Sequence, residues 1–193
     1  VGLTVVLIEP QIPPNTGNIA RLCAATDTSL HLIEPLGFSL ADEQLRRAGL
    51  DYWDEVDLWI HPSWRDFREA VSRERCLYFS AHGRQSYLDA PYAPNSVLVF
   101  GNETQGLPER IRDKHPDRTY RIPMRPVVRS LNLATAVGIV LYEALRTVGF
   151  AFEDRPAPEA IPGRGGRERR RARRRPIPHS TYRPATGEDS NDL

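Results

Sequence analysis

Three short stretches of this sequence combine residue types that could do chemistry together. The first is Asn15-Thr-Gly-Asn-Ile-Ala-Arg21, where an amide and a guanidinium flank a glycine loop expected to run into a helix. Its plainer reading is a capped turn carrying a solvated arginine. The second, Val97 to Pro108, sets Glu103 between Gly101 and Gly106. Those glycines could adopt positive φ or let the backbone approach a ligand closely, and a loop of this kind offers amides and carbonyls to a nucleoside. The third, Arg121 to Ala134, leaves a strand through Ile122 and Met124, crosses an irregular loop past Arg129, and starts a helix with Ser130, Leu131 and Asn132. Taken singly, Ser130 and Asn132 are ordinary helix-start residues; beside Arg129 at a strand end they read as a site. No Gly-Lys-Ser or Gly-Lys-Thr sequence and no Gly-x-Gly-x-x-Gly fingerprint occurs, which disfavours a phosphate-binding NTPase or a dinucleotide enzyme.

Positioning these stretches requires strands that end beside them. Val5 to Ile8 is a short β-branched apolar run, and similar signals recur at Leu30–Ile33, Val56–Ile60, Leu77–Ser80, Val97–Phe100 and, more weakly, Thr119–Ile122. Between them lie helix signals. Asn18 is a plausible N-cap for a helix through Ile19, Leu22, Cys23 and Thr26. Ser39 with Asp42 and Ser63 with Asp66 suggest capped helices near residues 40–47 and 64–74. Pro108 suits the first turn of a short helix, and Asn132 opens a long one with an apolar face from Leu133 to Val148. Strands alternating with helices predict an α/β domain with a largely parallel sheet flanked by helices. In such sheets ligands gather at the carboxyl ends of the strands, which is where all three stretches fall.

The 193 residues suit one ordinary domain, expected over 1–152, followed by a Pro/Arg-rich segment, 153–193, expected to be disordered. The formal net charge of +1 hides an uneven distribution: residues 1–150 carry 16 basic and 18 acidic side chains, whereas 151–193 carry 10 and 7. The run from Arg164 to Arg175 is either a solvated stretch adding nonspecific attraction or an arm that tracks nucleic-acid phosphates. Cys23 and Cys76 match neither a secreted disulfide framework nor a zinc spacing, and no metal cluster is evident. No apolar run approaches the roughly 20 residues of a membrane span, and the start lacks a signal peptide's basic flank, so a cytoplasmic protein is expected.

Taken together, the segments Pro13 to Leu22, Ile33 to Phe38, Leu45 to Tyr52 and Phe100 to Pro108, with the third stretch following in order, resemble the motifs of the SPOUT superfamily of RNA methyltransferases. Over roughly residues 4–150 the chain is similar to the short, single-domain branch that methylates the wobble ribose of tRNA. The resemblance implies a C-terminal trefoil knot, a homodimer, and transfer of a methyl group from S-adenosylmethionine to the 2′-hydroxyl of cytidine or uridine 34. It implies a cofactor site built from Phe79, Ser80, Gly101, Glu103, Gly106, Ile122, Met124, Ser130, Leu131 and Asn132. Catalysis would fall to Arg21, Asn15 and Ser130, and RNA contact to Arg21, Arg46, Arg47 and Arg129, with no metal. Gln105 and Ala134 depart from the residues usual there, arginine and serine, as does the Ser80-Ala-His82 turn. Two other readings stand beside this one: 2′-O-methylation of another tRNA or rRNA position, and a knotted RNA-binding protein without catalysis, against which intact Arg21, Glu103, Ser130 and Asn132 argue.

Overall fold

The computed structural model describes residues 2–40 and 55–150. The helix expected near 40–47, Arg46, Arg47 and the tail lie outside these residues.

Among the described residues seven strands form one sheet in the order β3-β2-β1-β6-β4-β7-β5, every neighbouring pair parallel. They are β1 (Thr4–Ile8), β2 (Ser29–Ile33), β3 (Leu58–His61), β4 (Cys76–Phe79), β5 (Gln85–Ser86), β6 (Val97–Phe100) and β7 (Thr119–Arg121). The helices are α1 (Pro13–Ala25), α2 (Trp64–Ala70), α3 (Glu109–Arg112) and α4 (Leu133–Val148). Strands β1, β4 and β6 are buried along their whole length, which is why they read as unbroken apolar runs rather than as alternating patterns. Alternation persists in where the side chains go. Val5, Leu7, Leu77, Phe79, Leu98 and Phe100 join one core with Ile19 and Cys23 of α1 and Val137, Val140, Leu141 and Ala144 of α4. Val6, Ile8, Tyr78, Val97 and Val99 join another with Phe67 of α2 and Ile111 of α3.

Several sequence expectations need correction. Helix α1 does not start at Asn18: it starts at Pro13, so Asn15, Thr16 and Gly17 are buried helical residues and the supposed glycine loop is the helix's first turns. Pro13 and Pro14 explain this, because a proline has a fixed φ and no N–H to leave unsatisfied in a first turn. Helix α2 stops at Ala70, with a 3-10 turn at Arg73–Arg75 before β4. Strand β3 runs over Leu58–His61 rather than from Val56. The Ser63 and Asn132 caps are present, accepting from the Asp66 and Thr135 amides, and Pro108 immediately precedes α3.

At the β2–β3 edge, His31 Nδ1 and His61 Nε2 lie 2.9 Å apart with the rings stacked at 5.1 Å. Burial, then the neighbouring His61, pushes the His31 pKa down to about 4; Asp57 pulls it up and Arg75 down by less. A folded-state value below the unfolded one means that this contribution is present above about pH 6.5 and is lost as pH falls toward about 4. The loss from this residue is on the order of 3 kcal/mol. Melting temperatures followed from pH 7 downward should show this loss, and His31→Gln should flatten it; an identical pH profile in the variant would show that the pair does not govern acid stability.

Candidate functional site

The loop leaving β6 closes on itself before it meets anything else. Asn102 Oδ1 accepts hydrogen bonds from the Thr104 and Gln105 amides at 3.1 and 2.7 Å, and the Gly106 amide donates to the Asn102 carbonyl at 3.0 Å. Gly106 takes φ +69°, and a Cβ on Gly101 would stand 1.9 Å from the Gly106 carbonyl group. The two glycines therefore form the neck of the loop. They serve close approach of the protein to itself, a requirement separate from the ligand approach inferred from sequence.

This closed loop aims Glu103 at the start of α1. Its Oε2 accepts from the Gln11 amide at 2.8 Å; its Oε1 accepts from the Ile12 amide at 3.2 Å and from Asn15 Nδ2 at 3.1 Å. Since a carboxylate only accepts, the Asn15 amide orientation is fixed. Its Oδ1 then takes a 2.9 Å bond from Asn132 Nδ2, while Asn132 Oδ1 caps α4. One hydrogen-bonded chain, Glu103–Asn15–Asn132, thus joins all three stretches across separations of 88 and 117 residues. The amides of Gln11 and Ile12 were missed in the sequence; the Pro13-Pro14 pair that forces the chain to turn into α1 was the available signal.

The ends of β4 and β7 build the adjoining cleft. Phe79 is buried and stacks on Phe100 at 5.1 Å. The Ser80 amide donates to the Tyr120 carbonyl at 3.0 Å, and the Gly83 amide donates back to Ser80. A Cβ on Gly83 would lie 2.4 Å from the Tyr120 backbone, so the 80–83 turn crosses β7 at close range. Between this turn and residues 121–129 opens a cleft of about 320 Å³, lined by Ala81, His82, Ile122, Met124 and Arg129 among others. That volume falls within the range of small-ligand sites.

The structure therefore gathers Asn15, Glu103 and Asn132 in one network and Ile122, Met124 and Arg129 along one cleft. Ser130, exposed, and Leu131, half-buried, follow the cleft without lining it. Arg21 is exposed on α1 and does not line the cleft either. At roughly 100° per helical residue it sits about 120° around the axis from Asn15. His82 and Ala81 contribute to the cleft although the sequence marked their turn only as a departure.

Cysteine chemistry has no foothold. Burial pushes the Cys23 thiol up to about 12 and Cys76 upward as well, so both stay protonated at neutral pH. Among the described residues no group of three or more His, Cys, Asp or Glu could hold a metal ion, and no helix is long and apolar enough to cross a membrane.

The chain is similar in sequence and fold to known proteins. The model of the SpoU rRNA Methylase family matches residues 2–142. The tRNA (cytidine(34)-2′-O)-methyltransferase of Methylovorus glucosotrophus is 47% identical over 148 residues, covering 76% of this chain and 96% of that protein. A solved structure described as giving insights into the 2-OH methylation of C/U34 on tRNA superposes with a TM-score of 0.70 at 49% identity, over 75% of this chain and 94% of its own. The SpoU methyltransferase AviRb from Streptomyces viridochromogenes, solved in complex with AdoMet, superposes with a TM-score of 0.68 at 27% identity, over 76% of this chain and 57% of its own.

Proposed function

Because the chain belongs to the SpoU rRNA methylase family, we propose that it methylates the ribose 2′-hydroxyl of the wobble nucleotide, cytidine or uridine 34, of tRNA. The likeness at 47–49% identity to proteins described by that activity supports the position. The observation that carries the chemistry is the Glu103–Asn15–Asn132 chain, which fixes all three motif segments at the carboxyl ends of the strands. S-Adenosylmethionine is the cofactor, supplying a methyl group on a cationic sulfur. The cleft fits such a group: Ile122 and Met124 offer apolar contact to a nucleobase beside the backbone of the 80–83 turn. Phe79, Ser80 and Leu131, with the 101–106 loop, would complete the cradle.

The residues contribute mainly orientation and charge. Arg21 would stand beside the 2′-oxygen and stabilise the negative charge developing there; a guanidinium with a pKa above about 12 is a poor base. Asn15, its amide fixed at both ends, would hold α1 and the substrate ribose in register. Ser130 would face the ribose at the start of α4. Arg21 does not line the cleft of its own chain, and a homodimer that brings it to the partner's cleft is part of this reading.

The reading also includes a C-terminal trefoil knot, which rests on the likeness to the SpoU methyltransferases. It takes residues 1–152 as the catalytic domain and 153–193 as a tail, working in the cytoplasm without a metal. Arg46, Arg47 and Arg129 would contact RNA.

A tRNA carrying 2′-deoxyribose at nucleotide 34 tests the acceptor atom. It should bind with an affinity close to that of its ribose counterpart and take up no methyl group. Methyl transfer to the deoxy substrate at the normal rate would overturn the assignment.

A further inference from the structure

The edge of the sheet opposite the cleft holds a second concentration of charge. Strand β4 rises about 3.3 Å per residue, so the three steps from Cys76 to Phe79 put its start and end about 10 Å apart. At the start, three guanidiniums are held by neutral backbone carbonyls. Arg118 donates from Nε to Cys76 at 3.0 Å and from Nη2 to Glu74 at 2.6 Å, Arg75 donates to Asn95 at 2.7 Å, and Arg68 donates to Val71 at 2.6 Å. Exposed Arg73 and Lys114 stand in the same turns. Among the described residues none of these five cations forms an ion pair with a carboxylate; the ion pairs present join Arg112 to Glu109 and Asp113, and Arg146 to Glu143. Segments 65–75 and 109–118 together carry eight basic and six acidic side chains, so the basic ones remain in excess.

The side chain of His115 is set among these charges. Its ring stacks on buried Tyr78 at 4.7 Å with planes 7° apart. Burial, followed by Arg73, Arg68, Arg118 and Lys114, holds its pKa below the ordinary histidine value, so the local field is positive. Neither the cofactor cleft nor the Glu103 network uses any of these groups.

A guanidinium has five N–H donors in a planar fork, and Arg118 spends two of them on carbonyls. Such side chains are already ordered, and the remaining donors suit phosphate oxygens, which accept bidentate bonds. A folded surface that fixes cations without pairing them fits a polyanion.

We propose that Arg68, Arg73, Arg75, Lys114 and Arg118 form a second RNA-binding surface, holding phosphates of the tRNA body at the amino edge of the sheet while the wobble nucleotide enters the cleft at the carboxyl edge. The proposal rests on the reading of tRNA as substrate. It is an attachment separate from the contacts proposed for Arg21 and Arg129.

The test is Arg73→Glu with Lys114→Glu, two exposed residues outside the cleft. Full-length tRNA binding is measured across a salt series, with S-adenosylhomocysteine calorimetry as the check on folding. Affinity should fall about tenfold at moderate salt, and the slope of log affinity against log salt should become shallower by about 0.7–0.9 for each phosphate that is no longer neutralised. The Km for tRNA should rise while kcat at saturating tRNA and cofactor affinity hold. A milder Arg73→Gln, Lys114→Gln pair should give a smaller loss in the same direction. Wild-type affinity and slope in the reversal variant would overturn the proposal. Binding is read without methylation, so a wild-type enzyme that methylates elsewhere would refute the wobble assignment while a loss of tRNA binding in the variant would still support the second surface.

Discussion

Arg21→Ala is expected to lower kcat by about 10²–10³-fold, the usual effect of removing a charge-stabilising donor from a developing oxyanion, with S-adenosylhomocysteine affinity close to wild type. The side chain is exposed on α1 and lines no part of its own cleft, so its loss should leave the cofactor's contacts in that cleft in place. Arg21→Lys should recover part of the rate, because the charge remains but the planar fork is gone. If the site is shared between protomers, mixing Arg21→Ala chains with chains defective in cofactor binding should restore activity, since one of the two clefts in a mixed dimer is intact in both parts. Light scattering should give a dimer mass. A kcat within threefold of wild type in Arg21→Ala would remove Arg21 from the reacting oxygen, and a monomer mass would remove the shared site.

The second large effect belongs to Gly101→Val. A Cβ there meets the Gly106 carbonyl group at 1.9 Å and the Leu107 nitrogen at 2.1 Å, all of it backbone. No rotamer relieves that collision, so the loop must open. Opening it withdraws Glu103 from the Gln11 and Ile12 amides and from Asn15. Overpacking commonly costs about 1–3 kcal/mol, and loss of the Glu103 bonds adds to that, each worth at most about 1.5–3 kcal/mol net of exchange with water. Cofactor binding should drop below detection by calorimetry, together with a clear fall in melting temperature. Gly106→Ala provides the contrast: its Cβ would meet nothing, so only the φ of +69° is penalised, at about 1–2 kcal/mol. Wild-type cofactor affinity in Gly101→Val would show that this loop does not shape the site.

The local elements were legible where their signals were local. Val97–Phe100 is a strand over the expected range, and Asn132 caps the long helix. The start of α1 was misread because Asn18 looked like a cap, whereas two prolines and a carboxylate 88 residues from Asn15 fix the actual start. Strand β5, two residues long, has too little pattern to register. Glycine at 101 and 106 could be seen to matter, but not why: backbone packing against backbone leaves no trace in hydrophobic periodicity. The basic cluster at the amino edge is divided between residues 68–75 and 114–118, so no run of charge along the chain betrays it; only the pairing of β4 with β7 brings it together. The resemblance of the motifs pointed to the function more directly than any physical pattern did, and the Glu103–Asn15–Asn132 chain gives those motifs a structural reason to occur together.

The proposed activity is transfer to one atom of one nucleotide. It is read out by incubating unmodified tRNA with the protein and S-adenosylmethionine, digesting the RNA with ribonuclease and analysing the fragments by mass spectrometry. One added methyl group is expected on the ribose of cytidine or uridine 34, present with wild-type protein and greatly reduced with Arg21→Ala. A methyl group on a base or on another tRNA nucleotide, or no methylation of the tRNA, would contradict the assignment.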